Sequence, residues 1–220
     1  MGFLKLLVCA LIGYLIGTVN PSYIVSRCRG FDIRKKGSGN AGASNAVMVL
    51  GKMIGIVCAR LDIAKACAAI ALTEVLFPEL PHGFVVTGAA CILGHIFPFY
   101  MGFRGGKGLA SLGGVILMFQ WKIFLIMLAL ELVLVLITGY ICFVPMTASV
   151  AFAILYGVMR KDLFGAILLL LVSLVILLKH RENLGRIRQG VEVKIRYLWN
   201  AEKEKERLAR NAEKNNKENT

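Results

Sequence analysis

The sequence predicts an all-α, polytopic integral membrane protein with about seven transmembrane helices and its chemically equipped loops on the cytoplasmic side. Two observations carry the membrane assignment. Hydrophobic residues make up 57% of the 220-residue chain, and its mean hydropathy is +0.70, too apolar for a soluble domain of this size. These residues are also gathered into blocks, several of them near the ~20 residues that cross a ~30 Å hydrocarbon core. A third observation, the placement of a formal net charge of +13, sets the orientation. In a soluble protein that excess would suggest nucleic acid. Beside so many apolar blocks it reads first as the cytoplasmic bias of basic loops, and second as attraction to anionic headgroups or substrates. Membrane lipids are therefore the expected surroundings, with no nucleic-acid partner.

The blocks run Phe3–Ser26, Val47–Phe77, Phe84–Tyr100, Leu109–Phe119, Ile123–Tyr140, Phe143–Met159 and Leu163–Leu178. The first could pass for a signal peptide, but no small-x-small cleavage site follows it and further spans do, so it reads as a retained span. The second is long and interrupted by Lys52, Arg60, Asp62 and Lys65. Its first half is expected near the interface before the remainder crosses. The fourth is short, which makes it a half-span or a helix held between others.

Basic residues then orient the chain. Arg27, Arg29, Arg34, Lys35 and Lys36 follow the first block, Arg104 and Lys107 follow the third, and the segment after Leu178 is densely basic. Seven crossings put these three regions on one face. The opposite connections, PELPHG, QWK and RKD, carry less positive charge. The N-terminus is thus expected outside and the C-terminus in the cytoplasm. Residues 1–195 read as the membrane domain and 196–220 as a charged cytoplasmic tail. The stretch AEKEKERLARNAEKNNKENT, residues 201–220, mixes both signs of charge and reads as a solvated, frayed helix or disorder.

The six cysteines show no CxxC spacing, so small buried hydrophobes are expected rather than a zinc site or a disulfide framework. Only three aspartates occur, with no D-x-x-D or H-E-x-x-H arrangement, so neither a metal nor another cofactor is expected.

Three segments could carry chemistry. GSGNAG at 37–42 formally matches a dinucleotide fingerprint but follows RCRGFDIRKK, where that fingerprint needs a buried strand. FRGGKG at 103–108 fails as a Walker A loop, because its spacing is wrong and Gly108 stands where Ser or Thr is required. What both retain is simpler: glycines let backbone N–H groups converge on an anion, and adjacent cations add charge. Tight helix–helix turns would also need glycine. The third segment, KHRENLGRIRQGVE at 179–192, tips the balance, with His180 and Asn183 one helical turn apart on the same face as both loops.

In order and spacing, GSGNAGASN, GHIFPF with FRGGKGLAS, and HRENLGRIRQGVE resemble the three signatures of the bacterial membrane glycerol-3-phosphate acyltransferases that use acyl phosphate as donor. LDIAK (61–65) is similar to a further family element. The resemblance covers about residues 1–195 and implies seven helices in the bacterial inner membrane, with a cytoplasmic active site. The implied reaction moves a fatty acyl group from acyl phosphate to the 1-position of glycerol 3-phosphate, giving lysophosphatidic acid and phosphate. Ser38, Gly39 and Asn40 correspond to the first phosphate-contacting loop, with Gly42 and Asn45 as further substrate-binding positions. Gly105, Gly106, Lys107 and Gly108 match the second loop, and His180 and Asn183 the third. The resemblance casts His180, Asn183, Lys107 and Ser38 as catalytic. Whether His180 or a substrate phosphate takes the proton of the attacking hydroxyl stays open. A monomer is expected.

These residue types suit the chemistry. Acyl phosphate is already an activated anhydride, so catalysis needs positioning, oxyanion stabilisation and relief of leaving-group charge more than an enzyme nucleophile. The chain departs from the family at Met48 and Gly139, where arginines are expected, and at Cys142, where a serine is. Lys52, one turn beyond Met48, is a candidate substitute. A small transporter is the rival class, favoured by Glu131 near the middle of the fifth span. A catalytically weak member that binds lipid or acyl phosphate is another. Acyltransferases of the H-x-x-x-x-D type are excluded, because that signature is absent.

Overall fold

A computed structural model describes residues 2–218, with side chains through 214, and contains helices but no strand among the described residues. Helix α1 (Gly2–Thr18) stops short of Pro21, which opens α2 (Pro21–Cys28). Proline lacks the amide hydrogen needed to continue the ladder, and the Asn20 side chain caps the new helix by accepting from the Tyr23 amide at 2.9 Å. Helix α3 (Ala43–Leu50) is separated from α4 (Lys52–Leu76) by Gly51 at φ +98°. Then follow α5 (Gly83–Ile96), α6 (Leu109–Phe119), α7 (Trp121–Thr138), α8 (Phe143–Arg160), α9 (Leu163–Lys179), α10 (Arg181–Arg188) and α11 (Ala201–Glu218).

By length and composition five segments can cross a membrane: α1 with α2, α5 with the turn after it, α7, α8, and α9 with α10. Of the seven expected segments, the remaining two are α4, which carries four charged residues in its first fourteen, and α6, with 11 residues. The core is built from Ile70 on α4, Ile92 on α5, Val115 on α6, Phe152 on α8 and Ile176 on α9, all essentially inaccessible. Helix α7 instead leaves Ile126, Leu130, Leu136 and Ile137 exposed, as suits a helix facing lipid chains.

Backbone-to-backbone packing joins α1 to α5. Gly13 and Gly17 form a GxxxG pair, and a methyl group on them would strike the carbonyls of Thr87 and Cys91. A methyl on Gly94 would strike the Tyr14 carbonyl in return. Small residues at such an interface let helices approach closely where lipid supplies no hydrophobic drive. Tyr14 and Tyr100 hydroxyls close the same seam by donating to the Phe97 and Thr18 carbonyls, each at 2.8 Å.

The turns segregate to two ends. At one end His82 meets Asp162 at 3.0 Å, and the Arg160 guanidinium lies 5.3 Å from the Phe119 ring centroid. At the other end the Arg34 guanidinium donates to the Met101 and Arg104 carbonyls, and Lys107 donates to Asn183. All three basic loops therefore share one end.

Three expectations change. The second apolar block is not one continuous segment. It breaks at Gly51, and α4 runs uninterrupted past Asp62 and Lys65 because those charges satisfy one another inside the bundle (Nζ–Oδ1 2.7 Å). The segment expected to be a solvated tail contains α11, whose Glu204 is wholly buried, although most of its other side chains are exposed. Thr220 and its neighbour lie outside the described residues. Cys28 is exposed, unlike the buried cysteines expected.

Replacing Gly17 by leucine should prise α1 from α5. Overpacking of this kind costs about 1–3 kcal/mol or more, and the detergent-solubilised protein should show a lowered thermal midpoint. The same change at Gly2, where an added methyl group would have no neighbour within 4 Å, should leave the midpoint unchanged.

Candidate active site

At the end where the basic loops meet lies a cavity of about 980 Å³, bounded by all three segments singled out in the sequence. Ser38, Asn40, Gly42 and Lys52 border it on one side, Lys107 and Gly108 on another, and His180 and Asn183 on a third. Gly39, Asn45, Gly105 and Gly106 are not among its lining residues.

The first loop is organised by a buried amide. Asn45 Nδ2 donates to the Ile33, Lys36 and Asn40 carbonyls at 3.1, 3.1 and 2.7 Å, and its Oδ1 accepts from the Ser38 amide at 2.8 Å. Asn45 is fully buried, so the substrate contact expected of it is replaced by an internal role. Asn40 then turns the chain, its Nδ2 donating to Ser38 Oγ at 2.9 Å and its Oδ1 accepting from the Gly42 amide at 2.8 Å. Ser38 thereby keeps its own hydroxyl proton free to donate. Asp32 accepts from the Arg34 amide and guanidinium, and that guanidinium holds the Asp32 carboxyl below its ordinary range.

The second loop uses its glycines differently from the sequence expectation. The Gly105 amide donates to the Ile96 carbonyl at 3.0 Å and the Gly106 amide to the His95 carbonyl at 3.1 Å. Those two N–H groups are committed to the end of α5 and do not face an anion. Their smallness serves packing: a methyl on Gly106 would overlap the His95 imidazole, and one on Gly105 the His95 carbonyl. The Gly105 carbonyl accepts from the Ala41 amide at 3.3 Å, tying the first loop to the second. Anion-binding capacity shifts one residue on, to Lys107 and the first turn of α6. Gly108, Leu109 and Ala110 line the cavity there, as do Gly42, Ala43 and Ser44 at the start of α3. The first amides of a helix lack intrahelical partners and carry the positive end of its dipole.

The third segment supplies side chains. His180 Nδ1 lies 2.8 Å from the Ile176 carbonyl. A carbonyl can only accept, so Nδ1 holds the proton and Nε2 presents a lone pair. Lys107 donates to Asn183 Oδ1, Asn183 Nδ2 donates to Glu192 Oε1 at 2.6 Å, and Arg186 Nε donates to Glu192 Oε2 at 2.6 Å. Burial, with the Arg186 charge nearby, lowers the Lys107 pKa from lysine's ordinary 10.5.

Several lining groups were not named as site residues from the sequence. Asp62 and His95 border the cavity from inside the bundle. Lys65 links them, its ammonium 2.7 Å from Asp62 Oδ1, 2.9 Å from His95 Nδ1 and 2.6 Å from the Val19 carbonyl. Their signal was present, since charges inside a membrane span are costly and seldom idle. Arg186 and Glu192 lay within the third segment, but nothing local marked their pairing. Ile195, Tyr197, Leu198 and Lys205 also border the cavity, from beyond that segment. Met48 lines it where an arginine was expected, and Glu131 accepts from Thr147 on α8 at 2.9 Å, a helix-to-helix bond away from the cavity.

Asn45→Ala should leave several buried backbone groups of the first loop without partners, at about 1–3 kcal/mol for each group left unsatisfied. Limited proteolysis should then cut within residues 34–41 faster than in the parent, and faster than in Asn40→Ala.

The comparisons with known proteins agree with this geometry. A family model described as glycerol-3-phosphate acyltransferase matches residues 7–190. The glycerol-3-phosphate acyltransferase of Finegoldia magna is 35% identical over 198 residues, covering 89% of this chain and 98% of that protein. Glycerol-3-phosphate acyltransferase 2 of Thermotoga maritima is 35% identical over 186 residues, covering 84% and 94%. Among solved structures, PlsY (YgiH), described as an integral membrane glycerol 3-phosphate acyltransferase in its glycerol 3-phosphate form, superposes with a TM-score of 0.79 at 28% identity, covering 88% of this chain and 96% of that one. Its lysophosphatidic acid form gives 0.75. A bundle of apolar helices, three loops in this order around one cavity, and likeness over nearly the whole chain have one reading: the chain belongs to the glycerol-3-phosphate acyltransferase family.

Proposed function

We propose that this membrane enzyme transfers a fatty acyl group from acyl phosphate to the 1-hydroxyl of glycerol 3-phosphate, yielding lysophosphatidic acid and inorganic phosphate. The observation that carries the reading is the convergence of Ser38, Lys107, His180 and Asn183 on one cavity at the end of an apolar bundle. Family relatives bear the name of this activity, and the similar PlsY structures are described as glycerol 3-phosphate and lysophosphatidic acid forms. The basic loops face the cytoplasm in this proposal, the N-terminus lies outside the bacterial inner membrane, and the enzyme works as a monomer.

The acceptor hydroxyl oxygen attacks the acyl carbonyl, and the bond from that carbon to the phosphate oxygen breaks with its electron pair leaving on phosphate. His180 Nε2 takes the hydroxyl proton, because the Ile176 carbonyl commits Nδ1 as the donor. Lys107 and the first turn of α6 stabilise charge on the oxyanion and on the departing phosphate. Asn183 aims the lysine, and Glu192 and Arg186 aim Asn183. Ser38 and the start of α3 form the opposite wall for the second phosphate. The cations and the helix N-terminal amides on the cavity wall suit a phosphoanhydride donor, which supports acyl phosphate over acyl-CoA.

Purified protein given labelled glycerol 3-phosphate should form lysophosphatidic acid from acyl phosphate and not from acyl-CoA; efficient turnover of acyl-CoA would refute the donor assignment. Lys107→Ala should reduce acyl transfer at least tenfold, about 1.4 kcal/mol of transition-state stabilisation, with the protein still inserted. Because the folded-state pKa of Lys107 is lowered, its ammonium is lost as pH rises through a value below the ordinary lysine range. Activity should fall on that alkaline limb, and Lys107→Arg should abolish the limb. Met48→Arg should increase activity at low glycerol 3-phosphate, since a charge-assisted hydrogen bond contributes about 1.5–3 kcal/mol; unchanged acceptor affinity would place the phosphate elsewhere.

A further inference from the structure

The family model matches through residue 190, and the wall of the cavity continues beyond it. Val193, Lys194, Ile195, Tyr197 and Leu198 continue it, and Lys205 and Leu208 of α11 complete it. This roof is fastened by specific bonds. The Ile195 amide donates to the Gly139 carbonyl at 2.8 Å. The Lys194 amide donates to Glu204 Oε1 at 2.9 Å, and Arg196 Nε donates to Glu204 Oε2 at 2.7 Å. Arg207 donates to the Gly190 and Glu192 carbonyls at 2.7 and 2.6 Å, and Asn211 Nδ2 to the Gly190 carbonyl at 2.8 Å. Burial alone would raise the Glu204 carboxyl; hydrogen bonds from Arg207, Arg196 and the Lys194 amide outweigh it and hold the group down to about 2. Helix α11 is thus a latch, with an ionised, wholly buried carboxylate as its tongue.

What the latch holds over the cavity is a cation. The Lys194 stem lies along Gly139, where even a methyl group would meet its Cδ at 3.6 Å, and its ammonium sits 5.4 Å from the Tyr140 ring centroid. Of the other cavity cations, Arg186 pairs with Glu192 and Lys107 donates to Asn183, while Lys36, Lys52 and Lys205 are exposed to solvent and Lys194 is half-buried. Among the described residues the Lys194 ammonium has no carboxylate partner. An unpaired ammonium on the wall of a half-enclosed site gains most from an anion.

Resting on the acyl-transfer reading above, we propose that Lys194 binds a phosphate group of the substrates and that Glu204 of α11 positions it. The segment beyond residue 190 is then part of the substrate site, and the phosphate it holds belongs either to the donor or to the acceptor.

Lys194→Met tests this directly, because it keeps the stem against Gly139 and removes only the charge. Steady-state rates of the full-length protein, with each substrate varied in turn, should show the KM of one substrate raised about tenfold, the loss of roughly one charge-assisted contact, with kcat little changed. The substrate affected identifies whose phosphate Lys194 holds. Lys194→Arg should restore the KM, and Glu204→Gln should raise the same KM and not the other. Thermal midpoints in detergent should be equal for the parent and both Lys194 variants. Parental KM values for both substrates in Lys194→Met would overturn the proposal. Should the parent itself transfer no acyl group, the acyl-transfer reading fails instead. Calorimetric titration with glycerol 3-phosphate and with inorganic phosphate then decides Lys194: about tenfold weaker binding of either in Lys194→Met sustains it, and equal binding of both removes it.

Discussion

One buried ammonium holds together the parts on which the site depends. Lys65 reaches the Val19 carbonyl at the break between α1 and α2, the Asp62 carboxylate on its own helix and the His95 imidazole on α5. A charge removed from water costs several kcal/mol unless neighbours replace its hydration, so the three helices are fixed relative to one another wherever that lysine is satisfied. From His95 the constraint passes onward through its carbonyl to the Gly106 amide, and through its ring to the face of Gly106. The loop bearing Lys107 is therefore positioned by electrostatics inside the bundle, although it reads in the sequence as a flexible glycine run.

The site above this anchor is assembled at the boundary of two solvents. Its cations and helix N-termini draw in groups that water solvates strongly, while the helices beneath expose apolar faces to lipid. Lys107, Asn183, Glu192 and Arg186 form a continuous chain of hydrogen bonds, so the position of each depends on its neighbours. Such a network limits the reorganisation needed when charge develops during acyl transfer. The first loop achieves the same rigidity with the neutral amide of Asn45.

Much of this was legible in the sequence because the decisive patterns are local. The last four apolar blocks match single helices to within two residues at each end, as with Leu109–Phe119, whereas the first two each hold parts of two helices. GSGNAG, FRGGKG and the HREN segment marked three loops that do meet at one cavity. The uses of individual atoms were not legible. Glycine at 105 and 106 is equally consistent with amides aimed at an anion and with amides returned to α5, and only the path of the preceding turn decides between them. The straight course of α4 depends on Asp62 and Lys65 neutralising one another together with His95, a residue thirty positions beyond Lys65. The docking of α11 was hidden for a related reason: its composition is that of a solvated helix, and one glutamate, Glu204, turns it inward.

The shortness of α6 has a consequence for how a greasy and a watery reactant meet. Eleven residues rise only about 16 Å, roughly half of a ~30 Å hydrocarbon core. Its far end, at Phe119, packs with Phe84 and Tyr156 at the end of the bundle away from the cavity. Gly108 and Lys107 at its near end therefore stand only about 16 Å along the bundle from that aromatic cluster, on the wall of the cavity. An acyl chain can then keep its methylenes among lipid while its carbonyl reaches the loop, and each methylene kept out of water is worth about 0.8 kcal/mol. The cavity beside that loop offers a small polar partner the positive charge of Lys107, Arg186 and Lys194.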